Sequence, residues 1–363
     1  MPNPSQTFLR TLLDNEVQAS DDFVRTIKLP LSNFIHTIYV TFKVTNGATD
    51  AENQSAYDAL DKVEVIANGS DVLYSLTPRE AKAWYLWERG MNIPQVRNET
   101  GAAVQQVTIP IFFGRADFDP YYYLPCARLT DLELKITASP TIAATSFATG
   151  TCTIAVHALM TMGNPPDTYQ GTLVHKTVKS FTSAASGDDQ TLLPRGNLLR
   201  QLMVHVYEAA IEAAANITRI KFDLNNQERI LLDAKYEDVQ SVNKVDRWIT
   251  HHEPILCARD TTEVENTHVG RIASVQLQTT TAADIIQATV VAGDAVTVTG
   301  TITTPFWMHV LGYGLSHGAV IDFAKQGESN LLNSSEYDQL QLTLTQGNAG
   351  AAVRVSTQEV RSL

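Results

Sequence analysis

The run LPLSNFIHTIYVTF, Leu29 to Phe42, returns in the second half of the chain as LPRGNLLRQLMVHV, Leu193 to Val206. Both open on Leu-Pro, carry Asn at the fifth position and continue into apolar and β-branched residues. In the first run Ile38, Val40, Phe42 and Val44 alternate with Tyr39, Thr41 and Lys43, a period of two that suits a half-buried strand. In the second, Leu202, Val204 and Val206 keep the same phase.

Three further landmarks follow each run in the same order. DKVEVIANGSDVLYSL, Asp61 to Leu76, places Asn68-Gly69 between two β-rich segments, a hairpin signal because both residues tolerate positive φ. Its counterpart, TRIKFDLNNQERILLDA, turns at Asn225-Asn226. TPREAKAWYLWERG then predicts a helix with Thr77 as N-cap, Pro78 at the first helical position, Glu80 closing a capping box and Gly90 as the stop. In the second half Asp233 is the expected cap of a helix carrying Tyr236, Val239 and Val242. Last come LPCARLTDLELKIT, Leu124 to Thr137, and LNSSEYDQLQLTLT, Leu332 to Thr345, with Leu132, Leu134 and Ile136 alternating as Leu340, Leu342 and Leu344 do.

The pairs Leu29 and Leu193, Asn68 and Asn225, Thr77 and Asp233, and Leu124 and Leu332 lie 164, 157, 156 and 208 residues apart. A fixed order at near-constant spacing reads as an internal duplication. The jump between the last two offsets places 52 extra residues near 250 to 305. There SVQLQTTTAADIIQATVVAGDAVTVTGTITT, Ser274 to Thr304, reads as a β-rich loop turning at Gly293-Asp294. MGNPPDTYQG, Met162 to Gly171, resists helix and sheet and divides the halves. The expected organisation is an arm at 1–22, a first domain at 23–162, a linker at 163–171 and a second domain at 172–363. In the arm, Phe8, Leu9, Leu12, Leu13 and Val17 stand at helical spacing, which predicts a short amphipathic helix that packs on its own domain or contacts a neighbour or a membrane surface.

The length of 363 residues suits two domains, and 44% hydrophobic against 18% charged residues excludes a disordered chain or a coiled coil. With 27 Lys and Arg against 39 Asp and Glu the net charge is -12, and no basic stripe suggests phosphate neutralisation, so sequence-specific nucleic-acid binding is not expected. Cys126, Cys152 and Cys257 are far apart and odd in number, which argues for buried thiols in a reducing compartment over disulfides or zinc. No apolar stretch of about 18 residues and no signal-peptide pattern occurs, so the chain is expected to be soluble and not secreted by that route.

GLSHG, Gly314 to Gly318, matches the nucleophile-elbow pattern with Ser316 as nucleophile. That fold needs a histidine downstream, yet all nine histidines lie at or before His317, and the βαβ alternation is missing. His251, His252 and Glu253 with Cys257 offer metal-ligand types, but neighbours on a strand face opposite ways and Pro254 interrupts a helix, so the stretch reads as a solvated loop opening the insertion. Asp117 and Asp119 in GRADFDPYYYLP could pair for acid/base work; Asp119-Pro120 reads better as a turn and Tyr121 to Tyr123 as a packing anchor. Trp84 and Trp87 on the predicted helix, and Trp248 and Trp307 near β segments, read as core residues and not as a sugar platform. No Walker loop, dinucleotide fingerprint, EF-hand or HExxH occurs. No catalytic, cofactor-binding or metal residue is assigned, and no cofactor is expected.

Two consecutive β-rich halves, each with a helix after an early hairpin and a late strand of alternating Leu, and a larger loop in one half, resemble the double jelly-roll major capsid proteins of tailless icosahedral viruses, which commonly carry an internal membrane. The resemblance spans nearly the whole chain and rests on LPLSN with LPRGN, ANGSDVLYSL with LNNQERILLD, and LPCARLTDLELKIT. It implies an all-β fold of two consecutive eight-stranded jelly-roll sandwiches, assembled as a homotrimer with six similar corners that tiles an icosahedral shell. It further implies a tower at 250–305 on the outer surface, the 1–22 arm facing inward toward a membrane or minor capsid or vertex proteins, and a virion assembled in the host cytoplasm. The readings from other classes are a two-domain β-sandwich enzyme acting on glycans and a carbohydrate- or receptor-binding protein. Clustered acids in a cleft, or exposed aromatics on a loop, would favour those.

Overall fold

The computed structural model describes residues 6–20, 22–48, 55–93, 95, 97–139, 147–163, 168–247, 249–258, 263–267, 269, 271–279, 285–291, 295–301, 304–315 and 317–363. Eight strands build the first half: β1 (Thr7–Gln18), β2 (Phe23–Lys28), β3 (Phe34–Thr45), β4 (Leu60–Ala67), β5 (Asp71–Leu76), β6 (Val104–Phe112), β7 (Leu132–Ala138) and β8 (Cys152–Thr161). Eight more build the second: β9 (Thr172–Thr182), β10 (Gly187–Leu192), β11 (Leu198–Tyr207), β12 (Ile217–Leu224), β13 (Arg229–Lys235), β14 (Gly318–Asp322), β15 (Leu340–Gln346) and β16 (Ala352–Arg361).

The first half orders its sheets β1-β8-β3-β6 and β2-β7-β4-β5; the second orders them β9-β16-β11-β14 and β10-β15-β12-β13. Adding eight to each strand number converts one half into the other. This is the jelly-roll wiring written twice.

Irregularities repeat as well. On β3, His36 is an extra residue between the pairs Thr37 with Leu159 and Ile35 with Met160. On β11, Arg200 is extra between Leu199 with Glu359 and Gln201 with Gln358. These are the eighth residues of the two runs that open on Leu-Pro. Leu73 on β5 and Leu231 on β13 bulge alike, as do Leu12 on β1 and Val178 on β9.

The hairpin turns fall where the sequence puts them, with Asn68, Gly69, Asn225 and Asn226 all at positive φ. Helix α1 (Pro78–Arg89) follows β5 and carries the full capping box between Thr77 and Glu80, with Gly90 left-handed at its end. Helix α2 (Tyr236–Asp246) follows β13, but its N-cap is Lys235, which makes no side-chain cap. Asp233, the expected cap, lies within β13 and takes Arg219 Nε at 2.5 Å instead.

The amphipathic helix expected in the arm is a strand. Residues 7–18 form β1 against β8, and two bulges, one at Leu12 and one between Leu13 and Glu16, break the period of two into spacing that imitates a helix. Phe8, Leu12 and Leu13 pack on the first core.

That core also takes in Val174, Met203 and Val320 from the second half, while a second core lies within the β9–β16 sandwich. A third cluster, including Ile255, Val296, Phe306 and Met308, sits in the segment between α2 and β14. There the strands Thr250–Cys257, Phe306–Tyr313 and Arg271–Gln278 make one small sheet and Glu263–Asn266, Ala295–Thr301 and Ile285–Val290 another. Among the described residues no helix is long and apolar enough to cross a membrane.

Candidate functional site: the seam between the halves

The chemical candidates of the sequence do not converge. Ser316 lies outside the described residues, as do Trp248 and the Gly293-Asp294 turn, while His317 is buried at positive φ. His251, His252 and Glu253 are not a solvated loop: they belong to the Thr250–Cys257 strand, paired with Phe306–Tyr313. Strand alternation buries His251 and Glu253 and leaves His252 outside, so the three do not face one point. His252 instead meets His309, Nε2 to Nδ1 at 3.1 Å, with half-buried Trp307 stacked beyond it.

Asp117 and Asp119 also part company. Asp119 is buried, accepts from Arg115 Nε at 2.8 Å and Nη2 at 2.9 Å, and accepts the Tyr121 amide, as a turn acid does. Asp117 accepts from Thr37 and Arg89 at the surface. All three cysteines are buried thiols.

Among the described residues one buried donor set forms: Glu99, Cys257 and Glu265 lie close enough to hold an ion. A cation of the chain already occupies that role, since Arg97 pairs with Glu99 at 2.8 Å and with Glu265, and donates to the Asn266 carbonyl. Burial disfavours its charge, but Glu99 and Glu265 outweigh that and raise its pKa. The link ties Arg97–Asn98 to the inserted segment, where it also pairs in parallel with Ile255 and Leu256.

The most heavily built polar region is the seam between the halves. Strands β5 and β9 pair in parallel, Tyr74 with His175 and Ser75 with Lys176. One sheet thereby runs from β2 through β5 and β9 to β14, across both sandwiches. Strand β11 is consequently buried on both faces, its Leu202, Val204 and Val206 inward and its Gln201, Met203 and His205 toward the first half.

Arg200, bulged out of β11, reaches Glu88 of α1 at 2.5 Å and Glu328 at 3.0 Å. Burial alone would lower its pKa; the two carboxylates more than offset this and the pKa is raised. Arg200 Nη1 also donates to Gln358 Oε1, leaving the Gln358 Nε2 to donate to His175 Nε2 at 2.8 Å. A histidine that accepts there must be neutral. Burial, reinforced by Arg200, pushes the His175 pKa down to about 3.

Around this chain α1 makes further contacts with the second half. Trp84 Nε1 donates to Ser356 Oγ at 3.0 Å, and its ring lies edge-on to His175. Glu80, besides capping its helix, accepts from Thr177 Oγ1 on β9 at 3.0 Å. Tyr122 Oη donates to Glu328 at 3.1 Å from the first half, which is the packing role expected of the tyrosine cluster.

No family model matches the sequence, and no curated protein matches it either. Solved structures do match in fold. The major capsid protein of Sulfolobus Turreted Icosahedral Virus aligns over 98% of this chain and 97% of its own, with a TM-score of 0.58 at 12% identity. The major capsid protein P2 of bacteriophage PM2 aligns over 98% of both chains, with a TM-score of 0.55 at 13% identity. The PBCV-1 virus capsid model aligns over 100% of this chain and 96% of its own, with a TM-score of 0.57 at 11% identity.

The fold is the double jelly roll of viral major capsid proteins.

Within the double jelly roll, the seam residues are those that sequence reading missed. A signal existed: LLRQLMVHVY, Leu198 to Tyr207, carries apolar or large residues on both faces of a strand, with Arg200 at its head. A strand covered on both sides reads as a near-continuous apolar run, and a lone cation inside one marks a buried ion pair.

Proposed function

We propose that this chain is a major capsid protein that assembles as pseudo-hexagonal trimers into an icosahedral shell. The observation that carries the reading is the seam: two sandwiches of identical wiring, joined by a shared sheet and by the ion pairs of Arg200 with Glu88 and Glu328. A fixed pair of like corners, repeated three times, presents a six-cornered outline that tiles by heterologous contacts. The solved neighbours named as capsid proteins support the same role.

In this reading the 250–305 segment is an outward tower, and the protein resides in the virion after assembly in the host cytoplasm. Its partners are other copies of itself and minor capsid or vertex proteins. An internal membrane would not be met by an amphipathic helix in the arm, because Thr7–Gln18 is a strand of the first sandwich.

Light scattering on the purified chain tests the proposal, followed by negative-stain imaging. A species near three times 39.9 kDa with six corners supports it. A stable monomer at micromolar concentration overturns it and turns attention to glycan-acting or glycan-binding readings.

A further inference from the structure

The duplication leaves a mismatch between the two halves. In the first half the outer edge of β5 is covered by β9. In the second half the matching edge, that of β13, has no strand on it among the described residues, since β13 is the last strand of its sheet and pairs with β12 alone. At the other end of the chain β1, the counterpart of β9, pairs with β8 alone among the described residues, which leave its outer edge bare.

The bulges fix which residues correspond. Leu73 and Leu231 bulge alike, so Tyr74 and Ser75 match Leu232 and Asp233. Val178 and Leu12 bulge alike, so His175 and Lys176 match Leu9 and Arg10. Carried through the helices, the register matches Trp84 and Trp87 of α1 to Val242 and Val245 of α2.

Burial then separates the two sets. Trp84 and Trp87 are 0% and 1% exposed inside the seam, whereas Val242 and Val245 are 52% and 85% exposed. Leu9 is 61% exposed and Ile230 is 50% exposed, while Leu232 is half-buried against the second core. The second half thus presents the apolar edge and helix face of the seam uncovered by any described residue, and the first half presents an apolar strand edge of the kind that fits there. Opposite charge sits at the matching polar position, where Arg10 would join Arg219 beside Asp233.

We infer that successive copies of this chain join head to tail by repeating the internal seam: β1 of one copy adds in parallel to β13 of the next, with Leu9 against Leu232 and Val242. This rests on the capsid reading and gives it a contact. Strand addition to a bare edge supplies main-chain hydrogen bonds, and the buried side chains set the register.

Neighbouring strands lie about 4.8 Å apart, within disulfide reach. The test is the double variant Leu9→Cys with Leu232→Cys, oxidised mildly and run on a non-reducing gel beside each single variant, with light scattering of the unoxidised protein. Covalent trimers from the double variant, and none from either single variant, are expected, because the contact joins unlike edges. A trimer by scattering that gives no Leu9→Cys to Leu232→Cys link overturns the inference and leaves the capsid reading standing. Links in an open-ended ladder without a closed trimer keep the inference and overturn the trimer. A monomer overturns both. Independently, Val245→Glu, at a site exposed within one copy, is expected to raise the concentration of half-dissociation at least tenfold; an unchanged value removes α2 from the contact.

Discussion

Arg200 Nη1 stands 2.5 Å from Glu88 Oε1, although the two residues belong to different jelly rolls and lie 112 positions apart. Both side chains are almost fully buried. A buried pair broken on one side leaves an uncompensated charge, which costs about 3–5 kcal/mol, whereas replacing both partners by apolar groups is often neutral. Arg200→Met is therefore expected to lower stability by roughly that amount, and Arg200→Met combined with Glu88→Leu to recover part of it. Urea unfolding at one fixed protein concentration reads both; equal losses in the single and double variants would show that the pair is not coupled.

The fold is also expected to be acid-sensitive, at the seam and away from it. Burial is the first cause in each of three histidines: the pKa is held down to about 3 in His175 and His251 and to about 4 in His36. The unfolded chain titrates near the ordinary value of 6.5, so below that pH it takes up protons that the folded chain refuses. Stability is fully present above about pH 6.5 and falls as pH drops toward 4, by about 1.4 kcal/mol per pH unit for each histidine. His175→Gln, which keeps an acceptor for Gln358, should reduce that slope by one proton in urea midpoints taken from pH 7 to 4.5. A slope identical to that of the parent protein would remove His175 from the account.

Legibility followed the local signals. The alternation from Ile38 to Val44, the Asn68-Gly69 turn and the Thr77–Gly90 helix carry their own geometry, so they could be read directly. The arm misread because bulges in β1 moved Leu12 and Leu13 off the period of two. Asp233 misread because a cap residue and a strand residue look alike until the partner, here Arg219, is known. The seam was hidden for a different reason: Arg200 meets Gln358 through the pairing of β11 with β16, and Glu88 joins them from the other half, where β5 meets β9, and no local pattern encodes either contact.

The inserted segment has a core of its own, and the Thr250–Cys257 and Phe306–Tyr313 strands close it at the pair Cys257 with Phe306. Replacing residues 259–304 by a short turn between those strands should preserve both sandwiches, with the β signature in circular dichroism and the oligomer mass unchanged. It also removes Glu265 from Arg97, leaving Glu99 as a carboxylate partner. A lower melting temperature, lowered further by Arg97→Met because Glu99 then loses its cation, is the expected pattern. Insoluble protein from both versions would mean that the segment is needed for folding of the second jelly roll.

The two helices differ in one correctable way. Thr77 closes a capping box on α1, whereas Lys235 occupies the same position before α2 with an extended backbone and no side-chain acceptor for the free amides of the first turn. A lysine also brings positive charge to the helix end where the dipole is already positive, although Glu237 and Asp238 in the first turn offset it. Lys235→Ser should supply the missing acceptor at unchanged backbone geometry and raise stability by about 1 kcal/mol, while Thr77→Ala should lower it by a similar amount. Opposite shifts of the urea midpoint, at matched protein concentration so that assembly does not enter, are the expected result. If Lys235→Ser destabilises, the lysine is making a contact with its neighbours that matters more than the cap, and the two helices are not equivalent at their first turns.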